Sequence, residues 1–404
     1  MLYSNRLTEA LLARKEDFAR FDNKWRDEIH SYATRLNALS KKSSEEIHHL
    51  LIHEKEPGAL PSDELDKHRS IFLSFNQCWS NHEEARRWAS SVLQNRTTFA
   101  ADASQLLPGR EISLPVAVVQ AAWFENHHHT ENDYVKNVRV EIIPPDELLE
   151  EIEGRVNAET VVRWRRFQLE IETIQTFLDQ KRGWREKGER APLAFFDGTL
   201  LISISQPRTR LEERYIDLMA QLVRHSRDAQ VPLVGYIDQS YARDLVNMLD
   251  AVDFVDQAKR SRSLYDSQLL REGDDETSLK SWGNRTAFFY CKRRGLSEFF
   301  QDEKDKLLVG LTYLQTTSEG TPPARLDIPA WIYEAGLLDE VIDVVRAECV
   351  SGLGYPYAIE AADAAAVITA QDRERFLSAI QEFAEKNNLG FRVARKAISK
   401  MRRR

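Results

Sequence analysis

The feature that most limits what this chain can become is the stretch from Ala191 to Ile204, A-P-L-A-F-F-D-G-T-L-L-I-S-I. A short apolar run enters Asp197, Gly198 follows, and a second apolar run leaves. A continuous apolar run of this length, opened by proline, reads as a strand buried on both faces. An ionised carboxylate set into such a strand has to be paired or bound to a cation, because taking it out of water unaided is costly. Gly198 removes a side chain beside it, which lets another backbone or a ligand come close. An aspartate–glycine pair also marks ordinary turns. The stretch alone leaves both readings open.

A chain of 404 residues suffices for two or three domains, or for one large domain with an appendage. With 42% hydrophobic and 30% charged residues its composition is that of an ordinary globular protein. No apolar run reaches about eighteen residues, so no membrane span is expected. The first ten residues, M-L-Y-S-N-R-L-T-E-A, lack the apolar centre of a signal peptide. Cys78, Cys291 and Cys349 lie far apart with no C-x-x-C, which argues against a disulfide framework or zinc site and fits a reducing cytoplasm. The net charge of −8 is not that of a protein that coats nucleic acid, though it is compatible with a local basic groove. No G-x-x-x-x-G-K-[ST] is present, so the chain is not expected to hydrolyse ATP by a P-loop.

Toward the N-terminus, Leu11, Phe18, Trp25, Tyr32 and Leu39 recur every seven residues, with Ile29 and Leu36 between them. That spacing predicts a helical seam, continuing through Glu45 to Glu54 and breaking at E-K-E-P-G-A-L-P-S-D. Ser62 then reads as the cap of a second helix carrying Ile71, Phe72, Phe75, Trp79, Trp88, Val92 and Leu93. Residues 1–95 are therefore expected to form a coiled-coil-like helical hairpin. His48, His49 and His53 lack the H-E-x-x-H arrangement and read as surface residues.

Beyond residue 96 the character changes. T-T-F-A-A-D-A-S-Q carries Asp102 as Asp197 is carried, after a short apolar run and before small residues. A valine-rich segment at I-S-L-P-V-A-V-V-Q-A-A-W-F and an alternating one at Tyr134 to Ile143 read as two further strands, the second half-buried through Val138, Val140 and Ile142. The triple histidine between them reads as a solvated hairpin tip. A long helix follows from Asn157 to about Gln180. Within it Glu170 lies in phase with Arg166 and Ile174, whereas Glu172 points elsewhere, and an Arg166–Glu170 ion pair is the plain reading. Downstream, helices are expected over 211–229 and 240–249 and a strand over 231–237. A polar insertion is placed around 240–284, including R-E-G-D-D-E-T, and a basic tail ends the chain. Arg285, Lys292, Arg293 and Arg325, near expected strand ends, are the candidates for DNA phosphate contacts.

The order is strand with Asp102, two strands, helix with Glu170, strand with Asp197. This is the carboxylate layout of ribonuclease H-like nucleases. Hydrolysis of a phosphodiester with two divalent cations needs hard oxygen ligands converging from rigid elements. The pieces A-A-D-A-S-Q, R-x-x-x-E around Glu170, F-F-D-G-T-L, V-P-L-V-G-Y-I-D-Q-S (231–240), P-A-R-L-D-I-P (323–329) and L-G-Y-P-Y-A-I-E-A-A-D (353–363) together resemble the successive motifs of the NurA nuclease family, over about residues 96 to 370.

The resemblance implies an α/β fold: a ribonuclease H-like mixed sheet flanked by helices, here with the N-terminal helical hairpin, and with 96–404 as the nuclease domain. It implies a deoxyribonuclease acting on DNA ends in double-strand-break repair, with Asp102, Glu170, Asp197 and Asp363 as catalytic ligands of Mn²⁺ or Mg²⁺, two ions per site. It also implies a homodimer working with a HerA-type hexameric ATPase. The alternative is a catalytically weak relative that binds DNA or docks the motor. A purely structural α/β protein is a third reading. Two positions depart from the family pattern. Ala103 replaces a common glycine, and Asp363 stands where a histidine is usual. A carboxylate can ligate a hard cation but is already ionised at neutral pH, so it cannot take over a histidine's proton transfer.

Overall fold

The computed structural model describes the chain except residues 1–2, 110–111, 114, 130–133, 153–154, 203–207, 257–259, 273–278, 297, 305, 318–320 and 391–404. Most of the R-E-G-D-D-E-T loop and the basic tail lie outside the described residues. In chain order the elements begin with α1 (Ser4–Leu12), α2 (Lys15–Ser40), α3 (Ser44–Leu50), β1 (Gly58–Pro61), α4 (Glu64–His68) and β2 (Phe72–Leu73). There follow α5 (His82–Leu93), β3 (Thr98–Leu106), β4 (Ala117–Asn126), β5 (Tyr134–Ile143), α6 (Pro145–Leu148), β6 (Glu151–Ile152), β7 (Arg155–Val156), α7 (Ala158–Lys181), β8 (Leu193–Asp197), α8 (Arg210–Ala229) and β9 (Leu233–Ile237). Next come α9 (Asp244–Val252), α10 (Asp266–Glu272), β10 (Arg285–Thr286), β11 (Phe289–Lys292), β12 (Val309–Leu314) and β13 (Ala324–Pro329). The chain closes with α11 (Ala330–Glu334), α12 (Leu338–Ser351), α13 (Tyr357–Ala366) and α14 (Ala370–Lys386).

The chain divides into two compact units, each built from two separate segments. One joins Met1–Cys78 to Ile237–Ala330; the other joins Trp79–Tyr236 to Trp331–Arg404.

The second unit has the strand order β5-β4-β3-β8-β9. β4 is antiparallel to its neighbours β3 and β5 on either side, whereas β8 runs parallel to both β3 and β9. Three antiparallel strands, with two parallel ones added beside the first after a long helix, are the ribonuclease H-like arrangement. Because side chains alternate along a strand, β3 serves two layers. Phe99 stacks on Phe177 of α7, with ring centroids 4.3 Å apart, and Ala103 joins a core with Val119, Ala121, Val162 and Leu169. On the opposite face Thr98 donates to Glu348 of α12 at 2.8 Å, and Ser104 donates to the Ala366 carbonyl at the end of α13.

β5 departs from expectation. Val138, Val140 and Ile142 are about half exposed, because β5 is an edge strand whose one partner in this order is β4. The histidine tip is also less free than its polarity suggests. His127 bonds Thr97, His128 the carbonyl of Arg96, and His129 the Asn95 side chain.

The first unit contains an antiparallel run β1-β11-β12-β13, with β10 paired to both β12 and β2. The expected hairpin is therefore not formed. The long helix stops at Ser40, and a Ser43–Glu46 capping box starts the short α3. Of the heptad seam, Tyr32 and Leu39 are buried while Leu11 and Phe18 are exposed. The expected second helix is broken into α4, β2 and α5. Its S-I-F-L-S segment is apolar and aromatic enough to pair as a strand, Phe72 opposite Thr286 and Leu73 opposite Arg285.

In this unit Arg285 and Arg325, expected at a DNA groove, are buried in ion pairs, and Arg293 is paired with a carboxylate. Arg285 is buried and forks onto Glu64 at 2.6 and 2.9 Å. Arg325 is buried between Asp327 (2.7 Å) and Asp244 (2.5 Å), and Arg293 takes the same Asp244 at 2.7 and 2.8 Å. Arg325 and Arg285 are buried in these pairs and have no open face for a backbone phosphate. Lys292 is half-buried on β11 opposite Gly58.

Candidate active site

The parallel pairing of β3 with β8 runs Thr98↔Leu193, Phe99↔Ala194, Ala100↔Phe195 and then stops. Carried on by two residues, that register would bring Asp102 level with Asp197 just past the point where the strands cease to pair, and the Asp197 charge does reach Asp102. Across β4 the residue opposite Asp102 is Ala122, whose methyl group adds little bulk beside the carboxylate.

α7 runs back along β3. Its Phe177 meets Phe99 and its Leu169 meets Ala103, so Glu170 arrives level with Asp102. Glu170 is 6% exposed. Glu172 takes another course, bonded to Arg165 at 2.8 Å and to Arg139 at 3.3 Å. Arg166, the expected ion-pair partner of Glu170, donates instead to the Ala103 carbonyl at 2.8 Å, tying α7 to the residue after Asp102. From α13, the exposed Asp363 adds its charge to Asp102.

The electrostatics show how close these groups are. Burial, and then the charges of Asp363 and Asp197, push Asp102 up to about 6 against the pull of the Ala103 amide and Arg166. Burial, then Asp102 and Asp197, push Glu170 up to about 8 against Arg166. Acids that force one another toward protonation in a low-dielectric site mark a field short of positive charge. Among the described residues no three His, Cys, Asp or Glu side chains close as a ready metal cluster. The four carboxylates share a field, not a finished cage. Their chemistry, all hard oxygen donors, fits Mg²⁺ or Mn²⁺ and would not favour a soft metal.

Two contributors escaped the sequence reading. The Tyr355 hydroxyl donates to Asp197 Oδ1 at 2.7 Å, and its ring sits edge-on to Tyr236 with centroids 5.0 Å apart. Its signal was present, as the tyrosine of G-Y-P, but nothing local says that it reaches an acid 158 residues away. Gly235 is the other. A Cβ there would lie 2.6 Å from the Gly198 carbonyl and 2.9 Å from Leu200 Cγ, and Gly198 itself has φ +145°. The loop that presents Asp197 thus rests directly on β9. Gly235→Ala is expected to cost about 1–3 kcal/mol by overpacking and to displace Asp197. Urea denaturation together with a crystal structure checks this, and an unmoved loop at wild-type stability would contradict it.

The raised acids make a second measurable case. Glu170 sits above its usual 4.5 in the folded chain, so between about 4.5 and 8 the folded state holds a proton that the unfolded state has released. Stability of the metal-free protein must then fall as pH rises through that window. Glu170→Gln removes the ionisation, so its melting temperature is expected to fall less between pH 5 and pH 8, in EDTA. Parallel pH profiles for the two proteins would contradict the assignment.

The family model for the NurA domain matches residues 96–368. No curated protein matches the sequence. Among solved structures, the NurA nuclease from Sulfolobus solfataricus is 11% identical, with TM-score 0.49, over 96% of this chain and 98% of that one. The catalytic domain of human endonuclease V is 12% identical, with TM-score 0.30, over 74% of this chain and 96% of that one. Aquifex aeolicus Argonaute is 10% identical, with TM-score 0.25, over 68% and 28% respectively.

Proposed function

The chain belongs to the NurA domain family through residues 96–368, and from that premise we propose that it is a divalent-metal-dependent nuclease that hydrolyses DNA phosphodiesters at Asp102, Glu170, Asp197 and Asp363. One observation carries the reading: Asp102 and Asp197 lie just past the paired ends of adjacent parallel strands, and the charges of both reach the buried Glu170. A fold has no structural need for that juxtaposition, which costs stability unless a cation offsets it.

Asp102 and Asp197 would hold the metal from the sheet, Glu170 from α7 and Asp363 from α13. A bound divalent cation would supply a polarised phosphoryl oxygen and a water of lowered pKa. The chain's own residues set the rest. Tyr355 fixes the Asp197 carboxylate, and Arg166 secures the backbone after Asp102. Glu170, buried and readily protonated, would have to give up its proton to hold a cation, so apparent metal affinity would rise with pH. Asp363 would serve as a ligand and not as a proton carrier. Assembly as a homodimer, partnership with a HerA-type ATPase and a role in DNA-end processing belong to the same proposal. Among the described residues no helix is long and apolar enough to cross a membrane.

The deciding experiment incubates linear and circular DNA with the purified chain in Mn²⁺, Mg²⁺ or EDTA. Degradation in either metal and none in EDTA is the expected result. Equal activity in EDTA, or none under any condition, would reject it.

A further inference from the structure

Beside the acids, α7 carries Arg163, Arg166 and Glu170 at i, i+3 and i+7, one stripe of the helix. Exposure falls along it, from exposed Arg163 through half-buried Arg166 to buried Glu170. Next to this stripe is an aromatic group built from both α7 and α8. Tyr215 meets Trp164 edge to face at 4.8 Å and Phe167 at 4.9 Å, and the exposed Arg214 lies over the Trp164 ring at 4.7 Å. The Tyr215 hydroxyl feels the guanidiniums of Arg166, Arg163 and Arg214 together. Arg163 also pairs with Glu159, an exposed contact that salt weakens and a phosphate can displace.

Half-exposed aromatics framed by arginines are what an unpaired strand needs. Bases stack on rings and on guanidinium planes while phosphates take the charges. A duplex keeps its base faces inside and gains only the electrostatic part. We propose that Trp164, Tyr215, Arg163, Arg166 and Arg214 form a platform that binds single-stranded DNA and leads it along α7 to Glu170 and Asp102. The direction of the strand rests on the nuclease reading, whereas the binding itself does not require cleavage.

The test measures binding of the full chain in EDTA, by fluorescence anisotropy, to a homothymidine strand of about 20 nucleotides and to a blunt duplex of similar length. Arg214→Ala and Trp164→Ala are expected to weaken single-strand binding about 5- to 100-fold, with much smaller effects on the duplex, and Trp164→Phe to retain it. Removing Arg163 or Arg214 should flatten the salt dependence of single-strand affinity by about 0.7 log units per log salt for each arginine. Arg214 is exposed, so its variant decides the matter even where Trp164→Ala does not fold. Unchanged single-strand binding in Arg214→Ala, or equal losses on both DNAs, overturns the platform. Selective losses in a chain that cleaves nothing would leave the platform standing and remove the nuclease reading alone.

Discussion

Asp197→Asn is expected to lower metal-dependent DNA cleavage by about a thousand-fold or more while the protein remains folded. The substitution keeps the shape and the Tyr355 hydrogen bond but removes the negative charge that would hold a cation at the end of β8. Metal assistance at a phosphoryl centre contributes several kcal/mol, and each 1.36 kcal/mol is tenfold in rate. Asp197 is exposed at the strand end, so its loss leaves no buried cavity, and far-UV circular dichroism should not change. Tyr355→Phe grades the effect. It deletes one hydrogen bond to a charged acceptor, worth about 1.5–3 kcal/mol, so cleavage should fall by about 10- to 100-fold with Asp197 still in place. Single-turnover rates on a linear substrate measure both. Undiminished cleavage in Asp197→Asn would place the chemistry elsewhere.

Arg325→Ala is expected to destabilise the unit built from Met1–Cys78 and Ile237–Ala330 by about 3–5 kcal/mol, the usual result of breaking a buried ion pair from one side. Arg325 is 1% exposed and bonds Asp327, Asp244 and the Tyr313 hydroxyl. Without it, buried Asp327 loses a direct cation, and Asp244 keeps Arg293. Burial tends to raise Asp244, yet the Arg293 and Arg325 guanidiniums hold it down at about 2. The stability this contributes is present above the usual value of 3.8 and is lost as pH falls toward 2. Arg325→Ala should therefore also shift the acid-unfolding midpoint upward. Urea unfolding at neutral pH and an acid titration followed by circular dichroism test the two parts. A variant with wild-type stability but lost DNA affinity would restore Arg325 to a groove and contradict the structure.

Parts of the fold were legible because their signals are local. β5, β8, β9, α7 and α8 follow from periodicity and caps, and the Thr209–Glu212 capping box opens α8 within one residue of the expected start. The N-terminal quarter was misread for an equally physical reason. A seven-residue apolar recurrence says that a helix wants a partner but not where the partner is. Tyr32 finds Asp250, 218 residues away, while Leu11 and Phe18 remain exposed. The I-F-L segment fits a helix phase and a strand equally well at that length, and pairing with Arg285 and Thr286 chose the strand. The histidine tip looked solvated because its partners, Asn95, Arg96 and Thr97, are brought to it by the β3–β4 hairpin.

By itself the sequence determined that two aspartates sit at matched places in apolar strands, that Glu170 shares the phase of the buried side of its helix, and that these acids fall in the order of a nuclease sheet. Those facts depend on neighbours a few residues away, which a linear chain displays. Only the tertiary structure decided that Asp102 and Asp197 come close enough for their charges to interact, that Tyr355 holds one of them, and that Arg285 and Arg325 are taken up by buried carboxylates. A guanidinium reads the same on the page whether it faces water or a carboxylate. Arg285 is withdrawn from solvent by Glu64, 221 residues distant, and Arg325 by Asp244, 81 residues distant, because the fate of a buried charge is set by the partner that folding brings to it.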